Sequence, residues 1–310
     1  MLKYTVRRIL IALATLIIIT FILFILLQLM PGSPFNDEKI SPEQLAILRQ
    51  KYGLDKDILT QFVLYFKNML TGDLGVSYSI SRDVPVTQLL SPRVITSFEV
   101  GFCSALVGAI IGLILGTIAA FKQNTIWDTL ATVISVIGVS IPSYVFALGL
   151  SYYFGFKLRW FPILFNMADK SMSLVLPVLA LSLGTMASVA RFTRTEMIEV
   201  LRSEYVQLAE SKGVMGSRLI FKHVLRNASI PILTILGPLV VGLMTGSMVV
   251  ETIFSIPGLG QLLVKAIQSN DYNVILGISF IYSALFIAAM LLIDILYGVL
   301  DPRIRITGGK

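Results

Sequence analysis

Apolar residues along this chain come in long blocks, not at alternating positions. A helix needs about 20 mostly apolar residues to cross a bilayer. Six stretches meet or approach that length, at about 9–30, 99–121, 130–154, 173–190, 229–253 and 275–298, and each predicts a transmembrane helix. The fourth is the weakest, because Pro177 interrupts it and Ser and Gly are frequent. Proline is tolerated there if neighbouring helices re-satisfy the carbonyl it frees.

Two polar segments separate these blocks, and both carry helical periodicity. In residues 31–98, Ser41-Pro42-Glu43-Gln44 predicts a helix start, with Ser as N-cap and Pro at the first helical position. Leu45, Leu48 and Tyr52 follow at helical spacing. A second helix is predicted over about 57–70, with Ile58, Phe62, Phe66 and Leu70 on one stripe. Gly72-Asp73-Leu74-Gly75 then ends it as a turn. This region reads either as a contact surface for a partner or as a cap on the ends of the spans.

The second polar segment covers residues 191–228. Its basic residues are Arg191, Arg194, Arg202, Lys212, Arg218, Lys222 and Arg226, against the acids Glu196, Glu199, Glu204 and Glu210. At 100° per residue, Tyr205, Ala209, Lys212, Gly213 and Gly216 share one helical face. Gly213 and Gly216 each weaken a helix by about 1 kcal/mol relative to Ala, so a turn is predicted there, followed by a second short helix over 218–228. Pro231 falls near the start of the next span, where it costs little.

Composition confirms the bilayer. Only 14% of the 310 residues are charged, 55% are hydrophobic, and mean hydropathy is +0.83. Soluble domains carry roughly 25% charged residues. The net charge of +7 is then a topology signal, not a nucleic-acid footprint, which needs clustered basic side chains on a soluble surface. Lys3, Arg7 and Arg8 precede a first span that is longer than a signal-peptide core and lacks a cleavage site. This predicts a retained helix with its N-terminus inside. Six spans then put both termini and the basic segment 191–228 in the cytoplasm. Residues 31–98 carry seven basic and seven acidic residues, a loop long enough to translocate regardless of charge.

Candidate chemistry is sparse. Cys103 is the one cysteine, so no intrachain disulfide forms, and His223 is the one histidine. Without a Cys/His cluster a structural metal site has no support. Metalloprotease, P-loop and serine-hydrolase motifs are missing, which leaves an enzyme reading without a foothold. Ionisable residues in spans are functional candidates by default. Here they are Glu251, near the outer end of the fifth span, and Asp294, near the inner end of the sixth. Glu99 and Asp128 stand at span edges and are expected to face water. Pro257-Gly258-Leu259-Gly260 reads as a turn whose glycines allow positive φ.

Four stretches carry a resemblance. They are Leu54 with Gly72-Asp73-Leu74-Gly75-Val76-Ser77; Gln207-Leu208-Ala209 with Gly213, followed by Arg226-Asn227-Ala228 and Pro231; Glu251-Thr252-Ile253-Phe254-Ser255-Ile256-Pro257-Gly258-Leu259-Gly260 with Asp271-Tyr272; and Tyr297-Gly298-Val299-Leu300-Asp301-Pro302-Arg303. Over nearly its whole length the chain resembles the permease subunits of ATP-binding cassette importers, in the oligopeptide/dipeptide/nickel permease family. One departure stands out. The acid of the family's cytoplasmic "EAA" loop would fall at Gln207, which leaves Glu204 and Glu210 as candidates for a charged contact.

The resemblance implies an all-α, multi-pass cell-membrane protein with six transmembrane helices in a type I importer permease fold. Residues 1–98 would form an N-terminal transmembrane helix plus extracytoplasmic loop. Residues 99–302 would form the permease domain, with a cytoplasmic coupling loop over about 196–228, and 303–310 a tail. It also implies a sibling permease in a heterodimer, two cytoplasmic ATPase subunits, an extracytoplasmic substrate-binding protein and a peptide substrate. The chain itself would bind no cofactor, ATP and Mg residing on the ATPases. Glu204, Tyr205, Gln207, Ala209, Glu210, Lys212, Gly213 and Gly216 would form the coupling loop. Ser140, Ser188, Thr245, Ser247, Glu251 and Ser279 would be candidates for the translocation path, where small polar residues suit either close packing or a watered route. Asp73, Gly75, Pro257, Gly258 and Gly260 would be candidates for binding-protein contact. A nickel importer of the same family stays open. So does an ion-gradient transporter, a class that often shows inverted repeats of which this sequence gives no convincing trace, or a membrane scaffold.

Overall fold

The computed structural model describes residues 2–29, 42–51 and 53–300. Ser41, Tyr52 and the tail from Asp301 lie outside the described residues. The side chains of Leu45 and Asp294 are likewise outside the description.

The helices are α1 (Leu2–Leu29), α2 (Pro42–Lys51), α3 (Ile58–Leu70), α4 (Val86–Phe121), α5 (Ile126–Ser140), α6 (Ser143–Leu150), α7 (Lys170–Leu201), α8 (Glu204–Ser211), α9 (Gly216–Leu219), α10 (Arg226–Met244), α11 (Met248–Ile253), α12 (Leu259–Gln268) and α13 (Tyr272–Leu300). Among the described residues five helical stretches are long and apolar enough to cross a membrane, or six if the bent α5–α6 pair counts as one span. The chain forms two units, one from residues up to 97 together with 257–291, the other from 98–256 together with the chain from 292 on.

In the first unit, Asp57 caps α3 by accepting from the Thr60 backbone N–H at 3.0 Å. The predicted stripe on α3 is corrected: Phe62, Tyr65, Phe66 and Met69 turn inward, whereas Ile58 and Leu70 are exposed. Phe62 packs edge-on against Phe21 and Phe24 of α1, with ring centroids 4.9 and 5.6 Å apart. Gly72 and Gly75 take positive φ in the predicted turn. The loop that follows wraps a buried carboxylate. Asp271 accepts hydrogen bonds from the Ser77 hydroxyl and from the backbone N–H groups of Tyr78, Ser79 and Ile80. Two sequence-distant signature segments thus meet as one clamp. Leu74, Val86, Leu90, Leu259, Leu262 and Ile278 form the core beneath it.

In the second unit α7 is the central helix. Leu176, Ala180, Ala187, Val189 and Met197 are all buried along it, and Pro177 stays inside the helix. Gly108, Gly112 and Gly116 line the face of α4 against it. A Cβ at these positions would stand 2.7, 2.7 and 2.5 Å from the carbonyl oxygens of Ser182, Met186 and Ala190. Small residues every four positions let two membrane helices approach backbone to backbone.

Two predicted spans are corrected. The third does not run straight over 130–154. It bends by 101° between α5 and α6, at an extended Ile141 followed by Pro142, which N-caps α6. Proline pushes the residue before it out of the helical region. The fifth does not run unbroken to residue 253. Gly246, at φ +88°, separates α10 from α11, and Ser247 starts α11 by accepting from the Val250 N–H at 3.3 Å. The second and fourth spans are longer than predicted, since α4 begins at Val86 and α7 continues to Leu201.

Candidate functional site

The charged segment 191–228 grows directly out of α7, without a flexible joint at residue 191. The helix ends at Arg202, and Ser203 turns the chain into α8. Val206 and Ala209, three residues apart, bury themselves in a cluster with Ala120, Met197, Leu219, Val224, Ala228 and Ile232. This inward pair fixes which side of α8 faces out. The predicted shared face is corrected accordingly: Tyr205 is exposed, Ala209 is buried, and Lys212, Gly213 and Gly216 lie beyond the helix end.

The end of α8 is a Schellman cap. The Val214 N–H donates to the Ala209 carbonyl at 3.1 Å and the Gly213 N–H to the Glu210 carbonyl at 2.8 Å, with Gly213 at φ +82°. Val214 then packs on the same cluster as Ala209. Gly216, at φ +62°, turns the chain again into α9 and a wide helical turn over Ile220–Leu225. His223 sits in that turn, its carbonyl accepting from Asn227. The predicted turn at the two glycines stands.

The outward surface combines Glu204, Gln207, Glu210 and Lys212 with three exposed apolar side chains, Tyr205, Leu208 and Met215, the last 73% exposed. Sequence reasoning missed Leu208 and Met215. Their signal was that they fall off the Val206–Ala209 stripe in an otherwise polar stretch. Such a mixed patch on a rigid support suits a protein partner.

The base of this arm is tied to the α4–α5 turn. Arg194 donates from Nε and Nη2 to the two carboxylate oxygens of Asp128, at 2.6 and 2.9 Å. The same carboxylate accepts from the Asn124 N–H at 3.0 Å. The expectation that Asp128 faces water is corrected, since the residue is buried. Glu99, whose side chain is 39% exposed, pairs with Lys170.

The candidates for a translocation path scatter. Ser188 lines a cavity of about 460 Å³ at the α5–α6 bend, with Gly138, Pro142, Gly184, Leu239 and Gly242. Ser140, exposed, bonds its own helix at the Val136 carbonyl. Thr245 and Ser247 serve as caps at the α10–α11 break. Glu251 is buried in α11, and Ser279 lies in α13 of the first unit. Among the proposed contact residues, Asp73 is exposed and accepts from the Gly75 N–H. Pro257 is half-buried, whereas Gly258 and Gly260 are buried at the start of α12. Gly258 has φ −105°, so the predicted positive-φ turn is corrected to a helix cap.

Two family models match the chain. Residues 112–306 match the inner membrane component of binding-protein-dependent transport systems, and residues 1–86 its N-terminal region. The dipeptide transport system permease protein DppB of Lactococcus lactis is 39% identical over 306 residues, covering 99% of this chain and 100% of its own. The oligopeptide transport system permease protein OppB of Salmonella typhimurium is 42% identical over 306 residues, covering 98% and 100%. Among solved structures, the inward-facing MetNI methionine ABC transporter superposes with a TM-score of 0.56 at 15% identity, over 69% of this chain and 97% of that one. An amino acid ABC transporter gives 0.54 at 17%, over 68% and 93%. At such identities these structures speak to the fold alone.

Proposed function

This chain belongs to the inner-membrane components of binding-protein-dependent transport systems, with the type I ABC importer permease fold, and we propose that it conducts peptides through an ATP-driven importer. The observation that carries the substrate class is end-to-end identity of 39–42% with permeases named for dipeptide and oligopeptide transport. Neither of these names points to nickel.

In this reading the chain pairs with a sibling permease, receives peptide from an extracytoplasmic binding protein, and rests on two ATPases that hold ATP and Mg. The basic arm over residues 191–228 and both termini face the cytoplasm, supported by the excess of Lys and Arg there. The exposed Tyr205, Leu208 and Met215 dock on an ATPase, with Glu204 or Glu210 supplying charge in place of the acid that Gln207 lacks. Closure of the ATPases displaces α8. Because Val206 and Ala209 are embedded among residues of α4, α7 and α10, the displacement reaches the spans. ATP shifts the inward and outward states only through its differential affinity for them.

The test is uptake of labelled short peptides and of nickel, side by side, in cells lacking only this chain and in complemented cells. Peptide uptake should vanish and return with the gene while nickel is unchanged. Nickel uptake following the gene instead would overturn the substrate assignment.

A further inference from the structure

We propose that α3 is not a solvent-exposed part of the loop between the first two spans but an interfacial helix, its open apolar flank immersed in lipid. The observations come from depth and from the distribution of side chains around the helix.

Depth follows from α1. Between Arg8 and Gln28 this helix carries no charged residue. That interval is about 30 Å of helix, the thickness of a hydrocarbon core. Gln28 therefore stands at the headgroup boundary away from the basic N-terminus. Its Nε2 donates to Gln61 Oε1 of α3 at 3.0 Å, and Gln61 Nε2 in turn donates to the Lys56 carbonyl at 2.7 Å. One helical position on, Phe62 contacts Phe21 and Phe24, which lie about 10 and 6 Å below Gln28 along the helix axis. The contact places one side of α3 beneath the headgroups.

The distribution around α3 fits that depth. Phe62, Tyr65, Phe66 and Met69 face the protein. On the adjoining flank Leu59, Val63 and Leu70 are 64, 62 and 72% exposed. Thr60, Lys67 and Asn68 lie on the remaining side, with Leu64, 40% exposed, between Thr60 and Asn68, and Lys67 is the one charged residue in the helix. The apolar arc is thus wider than the protein covers, and the uncovered part borders the part that already touches a membrane span. A broad apolar arc opposite a polar side, lying 5–10 Å into the headgroup boundary, is the arrangement of interfacial helices. Lys67, next to Val63 around the helix, is long enough to reach back to the headgroups.

The experiment uses the complete importer in proteoliposomes, with C103S to remove the single native cysteine. Nitroxide labels go on L59C, V63C and L70C, and on T60C and N68C for comparison, each complex first checked for peptide-stimulated ATP hydrolysis. Collision with lipid-soluble oxygen and with a water-soluble nickel chelate is then measured. The proposal expects an oxygen-to-chelate ratio several-fold higher at 59, 63 and 70 than at 60 and 68. Chelate access at 59, 63 and 70 would put the flank in water and overturn it. Exclusion of both reagents there would overturn it in favour of a protein partner, such as the sibling subunit.

Discussion

Arg194 holds both carboxylate oxygens of Asp128, bolting the first turn of α5 to the base of the α7 arm. Asp128 is buried while the Arg194 side chain is 31% exposed, so the pair is neither fully solvated nor fully interior. Removing the arginine leaves the buried carboxylate without its counter-charge, at a cost below the about 3 kcal/mol of a fully buried pair. Arg194→Met should therefore lower the thermal midpoint of the detergent-solubilised complex. Arg194→Lys keeps the charge but loses the planar fork. It should restore much of the stability while still reducing uptake per ATP hydrolysed. Equal rescue of both quantities would mean that the pair serves folding alone.

The Schellman turn after α8 gives a second prediction. Gly213 sits at φ +82° with nothing within 4 Å of an added Cβ, so a side chain meets strain but no clash at its Cβ. A β-branched residue in that backbone region costs about 1–2 kcal/mol. Gly213→Val should leave the protein in the membrane and reduce coupling, seen as lost uptake with ATPase activity retained. Leu208→Glu, on the exposed side, should instead lower the yield of co-purified ATPase without changing the amount of permease.

The glycine stripe on α4 is testable by contrast with a glycine elsewhere in the same packing. Gly112→Val places atoms against the Met186 carbonyl, where a Cβ alone already stands 2.7 Å away. Overpacking of this kind costs about 1–3 kcal/mol, and the folded yield should fall. Gly184→Ala, with nothing within 4 Å of the new Cβ, should be tolerated. Comparable losses in the two variants, judged by size-exclusion profile, would refute backbone contact along the stripe.

Asp271 is fully buried, and its carboxylate is the shared acceptor for residues 77–80. Asp271→Ala strands those donors, and a buried donor without a partner costs about 1–3 kcal/mol. The loop should loosen enough for trypsin to cut after Arg82 under conditions where the parent protein is resistant.

For Asp57 the expectation concerns pH. Its hydrogen bonds from the hydroxyl and N–H of Thr60 hold the carboxyl below its ordinary value. The folded pKa is depressed, so the cap is fully present above the unfolded value, about 3.9, and is lost as pH falls through the folded one. The Thr60 amide's exchange rate divided by that in Asp57→Ala should stay constant from neutral pH down to about 4 and rise toward one only below it.

Much of this architecture was legible in the hydropathy pattern, because a bilayer demands long apolar helices whatever their partners. The turn at Gly213 and Gly216 was legible too, since both residues are poor in helices and both take positive φ. The bend ahead of Pro142 was not. Pro177 stays inside α7 and Pro231 and Pro238 inside α10, whereas Pro142 follows a sharp bend. Local sequence gives each the same handicap, and packing around the freed carbonyl decides between them. The Ser77–Asp271 bond, spanning 194 positions, and the Asp128–Arg194 pair had no local signature at all. The orientation of α8 was misread because only eight residues leave the inward face to be set by whatever lies beneath Val206 and Ala209.

The length of α7 has a consequence for how this arm can vary. Its 32 residues amount to about 48 Å, against about 30 Å of hydrocarbon, so roughly a third of the helix stands clear of the bilayer. Such a stalk sets reach and bearing together. Each inserted residue would lengthen it by about 1.5 Å and swing the surface of α8 by about 100°. One or two extra residues would turn Leu208 and Met215 off the side they now face and pull Val206 and Ala209 off their cluster, while about seven, nearly two whole turns, would return them to the original bearing at a new height. The spacing between the membrane and the exposed side of α8 is thereby quantised, and evolution or design can change it only in steps of whole helical repeats.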